Sequence, residues 1–181
     1  MSIAGGRDAQ LGEFPYVVGI RKLYQISSYP FCVGGLISTE HVITAAHCLT
    51  DTDYDTNAEK PENLEVLVGV VDSENYTAES EVKVKSIFIH RQYNGNGDFQ
   101  YDIAIIALAT NVTLSETVQT ISIYDGEVKP GMILTAVGWG FTDKKEVQPT
   151  NARTVEIPVV QCIASPTLFC AGEGNGKDTC E

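Results

Sequence analysis

Apolar positions along this chain fall in short runs, not in a helical stripe. Runs rich in Val, Ile and Thr are broken at intervals of about 8 to 15 residues by clusters of Gly, Asn, Asp and Pro. That pattern predicts strands over 16–21, 33–38, 41–45, 64–71, 82–90, 103–107, 132–139 and 153–159. Turns are expected over 51–63, 94–98, 143–150 and 172–178. Amphipathic helical periodicity is almost absent. Many short strands with such punctuation predict an all-β barrel or sandwich. A polar connector over 111–130 divides the chain into two strand-rich regions.

Composition narrows the class. The chain has 181 residues, 43% apolar and 20% charged, which suits a globular fold with a real core. No apolar run reaches the roughly 18 residues that a membrane-spanning helix needs. A net charge of -12 argues against nucleic acid or an anionic membrane as partner. Between Asp51 and Glu81 there are ten carboxylates and one base, Lys60, so most of that charge is expected on one solvated face. Five cysteines are present and none forms a C-x-x-C pair, which leaves a zinc ribbon or redox motif unsupported. The sequons at Asn75 and Asn111 are candidate glycosylation sites and agree with a secreted, extracellular chain. Met1-Ser2-Ile3-Ala4 is too short and too uncharged to be a secretory signal.

Two segments carry candidate chemistry. In Val42-Ile43-Thr44-Ala45-Ala46-His47-Cys48 a strand ends in two small residues and an imidazole. Small neighbours let the ring sit tightly against backbone, as a general base requires. The same pattern also suits a turn histidine with an ordinary hydrogen bond. In Tyr101-Asp102-Ile103-Ala104-Ile105-Ile106-Ala107-Leu108 a carboxylate opens a strongly apolar strand. A carboxylate there needs a partner, and an imidazole N–H is a natural one. His41 and His90 lie outside any such context and read as strand-end residues.

Seven blocks follow one another along the chain: Ile3-Ala4-Gly5-Gly6, Phe14-Pro15-Tyr16, Cys32-Val33-Gly34-Gly35-Leu36-Ile37, Thr44 to Cys48, Asp102 to Leu108, Val137-Gly138-Trp139-Gly140, and Phe169-Cys170-Ala171-Gly172 followed by Gly176-Lys177-Asp178-Thr179-Cys180. With these blocks in this order the chain resembles the chymotrypsin-type, trypsin-like serine proteases of peptidase family S1. The resemblance implies a two-barrel fold with the second barrel incomplete. An N-terminal barrel is expected over 3–110 and a partial C-terminal barrel over 131–181, together a partial S1 domain over 1–181.

The resemblance also implies roles. His47 would be the general base and Asp102 its orienting acid. Asp178 and Thr179 would line the primary specificity pocket and select Arg or Lys. Cys32 would pair with Cys48 and Cys162 with Cys170, leaving Cys180 unpaired, and Ile3 would be the activation residue. Closing the 17-residue loop from Cys32 to Cys48 would contribute about 3 kcal/mol. No cofactor is implied, and the expected partners are protein or peptide substrates with Arg or Lys, or protease inhibitors. The family's Gly-Asp-Ser-Gly-Gly block would follow directly after Glu181 and is not among these residues. The expectation is therefore a chain without its nucleophile, inactive alone unless a second chain supplies the remainder. The other reading is a protease homologue that acts as a binding or regulatory module.

Two superficial motifs are rejected. The glycine-rich stretch 172–177 lacks the spacing of a phosphate cradle. Asp51, Asp53, Asp55 and Glu62 have calcium-loop spacing, but Thr56 replaces the required Gly and Pro61 precedes the Glu, so no metal site is expected.

Overall fold

A computed structural model describes residues 6–24, 29–50, 56–97, 99–141, 148–161 and 168–172. Six strands close a barrel in the order β2 (Val17–Lys22), β3 (Cys32–Ser38), β4 (His41–Thr44), β7 (Ala104–Leu108), β6 (Glu81–Ile89) and β5 (Leu64–Leu67), with every neighbouring pair antiparallel. Period-two burial explains the closure. In β7, Ala104, Ile106 and Leu108 point inward and are buried while Ile105 and Ala107 are half-buried. β4 alternates in the same way, with Val42 and Thr44 inside. Val42, Ala104, Ile106 and Leu108 join Val18, Ile20, Leu36, Leu64, Val66 and Val82 in one core. Each fully buried aliphatic contributes about 1.5 to 3 kcal/mol. Register shifts between Leu36 and Ser38 and between Val84 and Ser86 bend the strands that must curve to close.

A second, smaller sheet is built on β9 (Arg153–Val160), which pairs antiparallel with β8 (Ile133–Gly138), β1 (Arg7–Asp8) and β10 (Cys170–Ala171). Its core is slight: Val155 and Ile157 are buried, with Leu134, Ala136 and Ala171 packed against them. Residues 109–132 connect barrel and sheet without a strand. Trp139, 2% exposed, seals the junction. It packs with Ala9 and Ala152 against Phe14, Val17, Val33 and Val71, and its indole N–H donates to the Val71 carbonyl at 3.0 Å. The fold is all-β, with a closed first barrel and an incomplete second one.

The strand expected over 64–71 stops at Leu67. Gly69 turns the chain at φ +65°, and Val71 is spent on the Trp139 packing instead of a ladder. β1 and β10, two residues each, are too short to leave a periodic trace in the sequence. Three short 3-10 turns, His47–Leu49, Pro61–Asn63 and Ala78–Ser80, are the only helical elements among the described residues.

Candidate active site

Strand register brings the two candidate residues together across 55 positions of sequence. Thr44, the last residue of β4, pairs with Ala104, the first of β7. The chain therefore leaves β4 towards His47 at the same barrel end where it enters β7 from Asp102. The β4 exit immediately forms the 3-10 turn His47–Leu49, which opens its N–H groups towards that carboxylate. Asp102 Oδ1 accepts the His47 backbone N–H at 2.8 Å, and Oδ2 accepts from His47 Nδ1 at 2.7 Å.

Burial opposes the Asp102 charge, but the hydrogen bonds from the His47 ring and backbone and from the Ala46 backbone outweigh it and hold the carboxyl below its ordinary pKa. The ionised carboxylate fixes the ring tautomer. With its proton on Nδ1, the neutral imidazole keeps the Nε2 lone pair for a proton from elsewhere. His47 is 26% exposed and Asp102 14%, so the ring can meet an incoming group while its anchor stays sheltered.

A disulfide joins Cys32 on β3 to Cys48, the residue after the imidazole. It ties the His47 turn to the barrel wall, and the Cys48 sulfur lies 3.6 Å from Nε2. Cys32, His47 and Cys48 are close enough to suggest metal ligation, but both thiols are consumed in the bond, so no thiolate is available.

The family model described as Trypsin matches residues 3–181. The chain belongs to the trypsin family. It is 30% identical to Trypsin-1 of Astacus astacus, with 99% of this chain and 78% of that one aligned. Identity to Trypsin of Phaedon cochleariae is 33%, over 99% of this chain and 70% of the relative. Mannan-binding lectin serine protease 1 of Homo sapiens is 30% identical over 98% of the chain, which spans 28% of that protein.

Beside Asp102, this trypsin-family chain forms a cleft of about 600 Å³ lined by Ile43, Ala45, Phe99, Asp102, Ile103 and Leu168. Its walls are mainly apolar. Phe99 also meets the His47 ring edge-on, at 5.7 Å between centroids and 77° between planes. The sequence reading did not single out Phe99. The signal available was the turn-forming stretch Asn94-Gly95-Asn96-Gly97 shortly before it.

The other predicted residues are dispersed. His41 shares a hydrogen bond of 3.0 Å with Ser38 Oγ, and His90 stacks on Tyr101. Asn75 and Asn111 are both exposed, in separate connections between strands. Cys170 on β10 is disulfide-bonded. Ile3, Cys162, Asp178, Thr179 and Cys180 lie outside the described residues, as do Asp51, Asp53 and Asp55. Among the described residues no helix is long and apolar enough to cross a membrane.

Proposed function

We propose that these residues form the base and specificity half of a trypsin-like serine endopeptidase that cleaves after Arg or Lys. The observation that carries the proposal is the double hydrogen bond from His47 to Asp102. It holds an imidazole with its proton on Nδ1 and its basic nitrogen at Nε2, the tautomer in which a general base activates a serine hydroxyl. Family membership and relatives named trypsin support the same chemistry. The preference for Arg or Lys rests on Asp178, whose carboxylate would face a cationic side chain, with Thr179 beside it.

None of the 181 residues forms a Gly-Asp-Ser-Gly-Gly block. The proposal therefore gives His47 the role of base and Asp102 that of orienter, and predicts that the polypeptide of these residues alone forms no acyl-enzyme. The nucleophile and its oxyanion donors must be supplied by further sequence or by a second chain. The Cys32–Cys48 disulfide and the exposed sequons at Asn75 and Asn111 support secretion into an oxidising, extracellular compartment.

The test is cleavage-site mapping on a mixed peptide library with protein that carries both these residues and the serine block. Cuts after Arg and Lys that disappear in His47→Ala are expected. Cuts after apolar residues, or activity that survives His47→Ala, contradict the proposal. A coding sequence without the serine block favours the binding or regulatory homologue.

A further inference from the structure

Asp102 sits in a segment whose backbone needs outside support. Phe99 and Tyr101 have φ of +53° and +56°. Bulky side chains occupy this left-handed region only where their surroundings hold them there. His90, the residue that follows β6, provides that hold on both neighbours of Asp102. Its imidazole lies flat on the Tyr101 ring, with centroids 5.2 Å and planes 5° apart. Its backbone N–H donates to the Ile103 carbonyl at 3.0 Å.

The clamp is itself fixed. His90 Nδ1 accepts the Gln92 backbone N–H at 3.3 Å, and its carbonyl accepts the N–H of Tyr93 at 2.9 Å. Tyr93 is buried in the barrel core, so the grip is referred to the rigid part of the fold. Between the clamped residues, the Ile103 N–H closes a tight turn onto the Tyr101 carbonyl at 2.7 Å. Relaxation of this segment would move the Asp102 carboxylate and the Phe99 ring, two of the groups that contact His47.

We propose that His90 is a positioning residue whose stack on Tyr101 holds the segment that is left-handed at Phe99 and Tyr101, and through it the Asp102 carboxylate that receives the His47 N–H groups. The proposal rests on the reading of His47 and Asp102 as the catalytic pair, but the geometry it concerns can be measured without turnover. The effect of His90 passes through the Tyr101 backbone.

The readout is the His47 Nδ1–H proton, observed by NMR in the 181-residue chain with labelled histidine and identified by its loss in His47→Gln. His90→Ala is expected to speed exchange of that proton with water by about threefold to tenfold, the population change that loss of one ring stack produces. Amide protection in the barrel strands should stay unchanged. His90→Phe keeps a stacked ring and should leave the rate within about twofold of the original.

An unchanged rate in His90→Ala overturns the proposal. So does a rate in His90→Phe as fast as in His90→Ala, which would assign the effect to Nδ1 instead of the stack. If His90→Ala does not fold, Tyr101→Phe against Tyr101→Ala gives the same decision from the other side of the stack: slow exchange in the first and fast in the second is expected, and equal rates overturn it. A failure of the protease reading shows separately, as absence of cleavage by protein that also carries the serine block while its Nδ1–H proton is intact.

Discussion

Replacing Asp102 with Asn separates the shape of the His47 anchor from its charge. Besides the Ala46 backbone, the carboxylate serves two His47 donors, accepting the backbone N–H at 2.8 Å and Nδ1 at 2.7 Å. Asparagine has one acceptor oxygen and one NH₂ group. Its oxygen can still take the backbone N–H. The NH₂ then faces Nδ1, and two donors cannot share that contact, so the imidazole must move its proton to Nε2 and accept at Nδ1. The pair survives with a neutral bond in place of a charge-assisted one, a loss of about 1 kcal/mol, part of which is offset because a half-buried carboxylate no longer has to be desolvated.

Asp102→Ala behaves differently. It strands both His47 donors and should cost about 2 to 4 kcal/mol. Urea unfolding at neutral pH measures the two stabilities, and labelled-histidine NMR reads the tautomer. The expected result for Asp102→Asn is near-native stability with the proton on Nε2, where it blocks the base. Retention of the Nδ1 proton in the Asn variant, or equal destabilisation by Asn and Ala, would refute the reasoning.

Two further outcomes follow from the barrel. Replacing Cys32 and Cys48 together with Ala removes a cross-link with a sequence separation of 16 and should lower stability by about 3 kcal/mol, read as a shift of the urea midpoint in oxidised protein; a shift below about 1 kcal/mol counts against the pairing. Gly34→Ala places a Cβ 2.5 Å from Val42 Cγ1 and 2.8 Å from the Ile43 carbonyl, so β3 and β4 must part. A cost of about 1 to 3 kcal/mol in thermal or urea unfolding is expected, and a neutral substitution would show that the two strands are not in this contact.

Much of this arrangement was legible because local pattern and global fold agree. Period-two apolar runs locate the barrel strands, since each lies with one face on the core. The residues around His47 and Asp102 marked both as candidates before any contact was known. What joins them is the Thr44 to Ala104 register, and no local pattern encodes a pairing across that distance. The left-handed Phe99 and Tyr101 were not legible, because intrinsic preference opposes that conformation and only the His90 stack and the surrounding chain impose it. His90 itself read as an ordinary strand end for the same reason. Its significance lies in what it touches. Val70 and Val71 read as a continued strand, but Gly69 turns away and Val71 serves the Trp139 junction.

The central claim, that these residues supply a serine protease with its base and orienting acid but not its nucleophile, is tested most directly by labelling with a fluorophosphonate. The 181-residue polypeptide should take no label. With a segment bearing Gly-Asp-Ser-Gly-Gly supplied in the same chain or as a second one, label should appear on the serine of that segment, and His47→Ala should abolish it. Label on any serine within the 181 residues, or labelling of the completed protein that is indifferent to His47, would contradict the account.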